Sequence, residues 1–366
     1  MKNKQDIKFM NYAINLAKRN IGITGKNPSV GCVIVYENTI ISTGVTFQGG
    51  RPHAEKIAID KVKNKDILKK CTLYVSLEPC ISNDKSKETC CNYIVKHNIH
   101  RVVIAMKDPS RDINGSSIVK LKNHGIEVVS PVLLEQAQSV NSFFCHNQEN
   151  KTPYVTLKIA TSLDGKIATK TSDSKWITGE DSRKYAHFLR SQNDAILVGA
   201  KTVRIDNPQL NCRIKGLEKF SPKIFILSKN LNFDHDLQVL SQNNTDIYLI
   251  SPKSSQNIEK FYYLKQHNPN INHITFEDGD DYMKKIYQIG IKSILVEGGS
   301  NLATQLIKDD RIDRLIWIRS NKIIGNDGLP AIAGLSLDKI SQAINRFKTK
   351  KIKSMQSDVI QILERI

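Results

Sequence analysis

His53 and Glu55 stand two positions apart in Pro52-His53-Ala54-Glu55, and Cys80 closes Leu77-Glu78-Pro79-Cys80, with the Cys90-Cys91 pair ten positions beyond it. One imidazole and two thiolates, from His53, Cys80 and Cys90, make three protein ligands for zinc and leave the fourth tetrahedral position to water. Such a water loses a proton near neutrality and becomes a nucleophile. Glu55 is not a ligand in this pattern. It carries the proton from the water to a departing amine, as the non-ligand Glu does in zinc deaminases. The generic pattern closes in Cys-x-x-Cys, so the ten-position step is irregular. A structural zinc site competes; it normally fills the fourth position with another Cys or His, and Cys91 is at hand for that. Taken singly, His-Ala-Glu is more often a helix start. The order of the whole set, placed after a strand-like run, favours the zinc–water site.

Pro52 before His53, with Glu55 in the first turn of a segment periodic in Ile57, Ala58 and Val62, predicts a helix beginning at His53. A helix start facing the metal also favours thiolate over thiol. Ahead of it, Phe9, Ala13, Leu16 and Ala17 mark a helix over residues 7–19. Residues 30–36 read as a buried strand and 39–46 as its hairpin partner, with Glu37-Asn38 in the turn. A strand at 71–76, a helix from Cys90, and strands near 101–105 and 126–129 follow. Strands alternating with helices predict a layered α/β fold.

Gln148 to Pro153 is polar and ends in proline, which makes it the candidate linker. The expected domains are 1–147 and 148–366. In the second, strands are expected at 154–160, 195–198, 223–227, 246–250 and 293–296, and a helix at 182–192. Val296-Glu297-Gly298-Gly299-Ser300-Asn301-Leu302 joins an apolar strand to a helix and has the physics of a phosphate cradle. It is not the Gly-x-Gly-x-x-Gly pattern of a standard dinucleotide fold.

The chain has 366 residues, seven cysteines and a net charge of +18. No run is long enough for a membrane span, no signal peptide is evident, and an odd, scattered set of cysteines fits a reducing cytoplasm. The positive charge is dispersed lysine without interleaved aromatic residues, unlike a single-strand-binding groove, so no nucleic acid is expected.

Taken together, these motifs resemble the bifunctional pyrimidine deaminase/reductase family of riboflavin biosynthesis along nearly the whole chain. Residues 27–35 (Asn-Pro-Ser-Val-Gly-Cys-Val-Ile-Val), 52–55, 77–80 and Cys90 match its deaminase half. Ser162 to Lys166, Trp176-Ile177-Thr178, Leu189-Arg190, Asp206-Asn207-Pro208 and Glu297-Gly298-Gly299 match its reductase half. The resemblance implies a cytidine-deaminase-like three-layer domain followed by a domain similar to dihydrofolate reductase. It implies zinc on His53, Cys80 and Cys90, with Glu55 as proton shuttle. It implies NADPH contacts at Ala160, Trp176, Thr202, Asp206, Ser228 and Gly299, Ser300, Asn301, Leu302, Ala303, Thr304, Gln305. Contacts to a small phosphorylated pyrimidine are implied at Ser174, Arg190, Leu210, Arg213 and Glu297, with an Arg pair suited to phosphate. A homo-oligomer is expected.

The chain departs from the family in one half. Thr46 stands where the family has a His, residues 81–89 replace a His-Gly-Arg/Lys-Thr-Pro-Pro stretch, and Asp108-Pro109-Ser110-Arg111 replaces Asp-Pro-Asn-Pro. These changes spare the metal and fall on substrate-facing positions, with Lys85 or Lys87 as replacements for the lost cation. The expectation is a retained deaminase with altered contacts. The alternatives are a degenerate deaminase beside an active reductase, a nucleic-acid deaminase, or a non-catalytic zinc scaffold.

Overall fold

A computed structural model of the chain describes residues 4–25, 27–82, 88–110 and 113–366. They divide into two compact units, Met1–Lys151 and Thr152–Ile366.

In the first unit, α1 (Lys4–Ala17) buries Phe9, Met10, Ala13, Ile14 and Ala17 along one stripe. β1 (Gly31–Tyr36) and β2 (Thr39–Val45) form the hairpin, with φ of 43° at Glu37 and 63° at Asn38 in its turn. Then come α2 (Ala54–Lys61), β3 (Thr72–Val75), α3 (Cys90–Lys96), β4 (Arg101–Ile104), α4 (Ser116–Asn123), β5 (Glu127–Val129), α5 (Leu134–Val140) and α6 (Ser142–Asn150). The sheet order is β2-β1-β3-β4-β5. β1 is antiparallel to both neighbours, while β3, β4 and β5 are parallel.

Two glycines let helices press onto this sheet. A Cβ on Gly31 would lie 1.9 Å from the Ala13 carbonyl oxygen of α1, and one on Gly44 would lie 2.0 Å from the Ala54 oxygen of α2. Gly44 is paired with Cys32, the neighbour of Gly31, so the two helices cover opposite faces. The result is a three-layer unit with α2, the helix after His53, held close to the sheet. Gln148 to Asn150, read above as linker, is instead the last turn of α6.

The second unit contains β6 (Tyr154–Thr161), β7 (Lys166–Ala168), α7 (Glu180–Ser191), β8 (Ala195–Gly199), α8 (Ala200–Asp206), β9 (Lys223–Leu227), β10 (Ile247–Pro252) and α9 (Ser255–His267). It continues with β11 (Ile271–Phe276), α10 (Tyr282–Gln288), β12 (Ser293–Val296), α11 (Ser300–Lys308), β13 (Arg314–Arg319), β14 (Leu329–Pro330), β15 (Phe347–Met355) and β16 (Asp358–Arg365). A nine-stranded sheet has the order β11-β10-β9-β8-β12-β6-β13-β16-β15. Neighbours from β11 through β13 are parallel; β16 and β15 are antiparallel additions. Strands covered on both faces read as unbroken apolar runs, which Ala195 to Val198 shows.

Candidate active sites

β3 and β4 are adjacent and parallel, so the loops after them leave from one edge of the first sheet, where open α/β sheets bind ligands. The loop after β3 carries Cys80. His53 caps α2 in extended conformation, Glu55 lies in that helix's first turn, and Cys90 opens α3 behind the Thr89 cap. The ligand atoms of His53, Cys80 and Cys90 lie within 4.8 Å of one another. His53 Nδ1 is 3.3 Å from Cys90 Sγ and 3.5 Å from Cys80 Sγ, and the Cys90 N–H donates to Cys80 Sγ at 3.3 Å. Imidazole and two thiolates are a zinc donor set with a place left for water. Cys91 does not close it: its Sγ is directed at the Ser117 carbonyl oxygen, 3.8 Å away.

The Cys90 thiol donates to Cys80 and holds it down at about 4, while the same bond together with burial pushes Cys90 up. Glu55 is 3% exposed. Burial first, then the Cys80 charge, push its carboxyl up to about 7.

Thr46 is buried and spoken for. Its hydroxyl accepts from the Val30 N–H at 3.0 Å, and its carbonyl accepts from Asn20 Nδ2 at 2.8 Å. It fastens β2 to the start of β1 and offers no replacement for a family His. Residues 83–87, including Asp84, Lys85 and Lys87, and Arg111 lie outside the described residues.

In the second unit, β9, β8, β12 and β6 are consecutive neighbours, and Ala160, Thr202, Ser228 and residues 299–305 follow or end these strands, while Trp176 and Asp206 lie elsewhere, on the loop after β7 and at the end of α8. Ala160 is at the end of β6, Ser228 directly follows β9, Thr202 lies in α8, and residues 299–305 begin at the cap of α11. A Cβ on Gly299 would have Thr202 Oγ1 as its neighbour at 3.7 Å, so the first turn of α8 meets the turn after β12. Ser300 Oγ, at the start of α11, is buried without a hydrogen-bond partner. Such an orphaned donor beside a glycine-lined helix start fits a phosphate-bearing cofactor. Asp206 is exposed at the end of α8.

Trp176 has φ of 65°, an outlier for a bulky residue, and is 62% exposed with the Arg183 guanidinium 4.1 Å from its ring centroid. It lines a pocket of about 300 Å³ with Thr178, Arg183, Lys322 and Asp358. Ser320, also in that lining, donates its N–H to the Thr161 carbonyl at 2.9 Å, which places the pocket next to the end of β6.

Among the residues assigned to substrate, Arg190, Leu210, Arg213 and Glu297 form one neighbourhood. Arg190 Nη1 donates to the Asn211 carbonyl at 3.0 Å, and its Nε and Nη2 grip Glu297. Arg213, exposed, meets His187 Nε2 at 3.2 Å. The two arginines therefore differ: one is committed to a carboxylate and the other faces solvent. Leu210 is buried with φ of 59°. Ser174 sits on the exposed loop after β7, with no contact to this group among the described ones.

Two residues went unrecognised in the sequence. Lys158 donates to Glu297 at 3.3 Å; a lone lysine inside the apolar run of β6 was the available signal. Glu78 is legible in the sequence only as part of the 77–80 motif; it is buried and accepts bonds from residues 30 to 39 positions away, and partners at that separation leave no local signal.

The first edge defines a hydrolytic zinc deaminase and the second a nucleotide-dependent reductase. Residues 3–106 match the cytidine and deoxycytidylate deaminase zinc-binding region, and residues 153–361 match the RibD C-terminal domain. The riboflavin biosynthesis protein RibD of Aquifex aeolicus is 35% identical over 98% of this chain and 98% of its own. That of Escherichia coli is 30% identical over 97% and 98%. The crystal structure of a diaminohydroxyphosphoribosylaminopyrimidine deaminase/5-amino-6-(5-phosphoribosylamino)uracil reductase from Thermotoga maritima matches with TM-score 0.86 and 32% identity over 99% of both chains. The chain belongs to this RibD family of bifunctional riboflavin-biosynthesis enzymes, and the cofactors of its two domains are zinc and NADPH. No helix among the described residues is long and apolar enough to cross a membrane.

Proposed function

We propose that the chain hydrolyses the 2-amino group of 2,5-diamino-6-(5-phosphoribosylamino)pyrimidin-4(3H)-one, releasing ammonia, and then reduces the ribosyl group of the product to ribityl with NADPH. The observation that carries the first step is the convergence of His53, Cys80 and Cys90 within 4.8 Å, with buried Glu55 two residues from His53. His53, Cys80 and Cys90 would hold zinc, which would supply a Lewis acid there and activate water toward loss of a proton. Glu55 takes the proton from water at its carboxylate and delivers it to the departing amine, so that the water oxygen stays on the ring carbon as a carbonyl while the C–N bond breaks and the amino group leaves as ammonia.

For the second step, NADPH supplies the hydride. Ala160, Trp176, Thr202, Asp206, Ser228 and residues 299–305 hold it, and the buried, unpartnered Ser300 hydroxyl supports this. Ser174, Arg190, Leu210, Arg213 and Glu297 bind the substrate. A guanidinium has five N–H donors, and Arg190 uses three on Glu297 and Asn211. Arg213 is therefore the freer phosphate ligand of the two. The two activities fall to the units Met1–Lys151 and Thr152–Ile366, whose boundary lies four residues beyond the one expected at 147/148.

A second reading, a deaminase with altered substrate contacts, is favoured by Thr46, whose hydroxyl is bound to Val30 rather than presented to a ligand. Seven free cysteines support a reducing, cytoplasmic setting. A homo-oligomer belongs to the same proposal, and size-exclusion chromatography with light scattering tests it. The test of the function itself is to follow ammonia and NADPH together with the diaminopyrimidine as the only substrate. Ammonia should appear first and NADPH oxidation should depend on it.

A further inference from the structure

The loop after β3 and the loop after β4 are joined by one side chain. Glu78 is 2% exposed. Its Oε2 accepts from the N–H of Asp108 at 3.1 Å and of Gly115 at 2.8 Å; its Oε1 accepts from the Ser117 N–H at 3.1 Å and the Ser117 hydroxyl at 2.9 Å. The Glu78 N–H in turn donates to the Met106 carbonyl at 2.9 Å. A buried carboxylate taking four hydrogen bonds is satisfied without a cationic partner.

All of these partners lie on the segment after β4, and Glu78 itself is two residues from Cys80. The carboxylate thus fixes that segment relative to a metal ligand. Asp108 continues the organisation: its Oδ1 accepts from the Ser110 N–H at 2.8 Å and closes the turn. Gly115 meets Glu78 with φ of 91°, a left-handed conformation that suits glycine, and starts α4.

We propose that Glu78 is a positioning residue for the deaminase. It holds the Asp108–Ser110 turn at the distance from Cys80 that the pyrimidine substrate requires, and so sets substrate affinity rather than metal binding. The proposal rests on the deaminase reading above; the loops after β3 and β4 leave the same edge of the sheet, where open α/β sheets bind ligands. The physical reason is that a misplaced positioning group acts on binding and orientation, while His53, Cys80, Cys90 and Glu55 keep their own supports on α2 and α3.

Glu78→Gln is nearly isosteric, but its Nε2 cannot accept, so the bonds at one oxygen are lost. Zinc content, KM and kcat for ammonia release, and the reductase rate on the deaminated product are measured in the full chain. The expected result is stoichiometric zinc, an unchanged reductase rate, and a KM raised roughly tenfold or more with a smaller change in kcat. Ser117→Ala, which removes one of the four bonds, should move KM the same way by less. Glu78→Gln with zinc and wild-type KM overturns the proposal. If Glu78→Gln loses zinc, Ser117→Ala decides: wild-type KM in that variant overturns it, and raised KM with full zinc supports it. Failure of the wild-type chain to release ammonia at all instead rejects the deaminase reading.

Discussion

Arg190 and Glu297 form a two-point ion pair at the C-terminal edge of the second sheet, with Nε–Oε1 at 2.7 Å and Nη2–Oε2 at 3.1 Å. Lys158 adds a third contact, at 3.3 Å, to the same carboxylate. The side chains of Arg190, Glu297 and Lys158 are 13%, 10% and 16% exposed, so the pair sits in a largely water-free place. Burial alone would raise the Glu297 carboxyl; the two cations win and hold it well below the usual carboxylate range. Because its folded value is depressed, its stabilising contribution is full above the unfolded value near 4 and is lost only as pH falls through the lower folded value.

Glu297→Ala leaves two buried cations unpaired and should destabilise the second unit by about 3 to 5 kcal/mol. Both tryptophans, Trp176 and Trp317, lie in that unit, so urea unfolding followed by tryptophan fluorescence reads it selectively. A change below about 1 kcal/mol would mean that the pair is solvated like a surface contact.

Gly44→Ala places a methyl group against the Ala54 carbonyl, where the added Cβ would be 2.0 Å from oxygen. Backbone cannot yield as a side-chain tip does, so α2 must move and take His53 and Glu55 with it. The cost should be about 1 to 3 kcal/mol. Reduced zinc retention and ammonia release with an intact reductase rate are the expected readouts. A wild-type zinc dissociation rate would show that α2 is not seated through this contact.

Asp6 provides a pH-dependent anchor in the first unit. It accepts from Arg101 Nη1 at 2.8 Å, Nη2 at 2.9 Å and the Tyr74 hydroxyl at 3.0 Å, and the Arg101 bonds lower its carboxyl despite burial. A depressed folded value means that this stabilisation is present above about pH 4 and fades as pH falls through the folded value. Hydrogen exchange at Leu73 and Val102, corrected for intrinsic rates, should accelerate in acid in the wild type. Asp6→Asn should exchange faster already at pH 7 and show a flatter acid response. Equal acid responses in the two proteins would assign the effect elsewhere.

The metal ligands were legible because their chemistry is local. His53 with Glu55, and Cys80 after Leu77-Glu78-Pro79, sit on short segments whose caps and strand endings are visible in sequence. The central strands were legible as apolar runs. β15 was not: its Phe347–Met355 stretch is an exposed, lysine-rich edge strand, and charge on an edge hides strand alternation while discouraging further pairing. β11 and β13 were also missed, which left the sheet four strands short once β16 is counted with them. The polar end of α6 read as linker for the same reason that an exposed helix end is polar. The Glu78 clamp and the Arg190–Glu297 pair join residues 30 to 39 and 107 positions apart, and only the fold brings such partners together.

Removing zinc with a chelator should abolish ammonia release and leave NADPH-dependent reduction of the deaminated product at its original rate. His53, Cys80 and Cys90 all lie in the first unit, and the residues assigned to the cofactor all lie in the second. Restoring zinc should restore ammonia release. Loss of both rates on chelation would show that the second unit depends on the metal.

The most direct test of the account compares the wild type with Glu55→Gln for ammonia released per zinc bound, using the diaminopyrimidine. The wild type should release ammonia with one zinc per chain. Glu55→Gln should keep the zinc and the reductase rate while ammonia release falls by about 10²- to 10⁴-fold, the scale of a lost general acid–base group. A zinc-loaded wild type that releases no ammonia, or a Glu55→Gln variant as fast as the wild type, would contradict it.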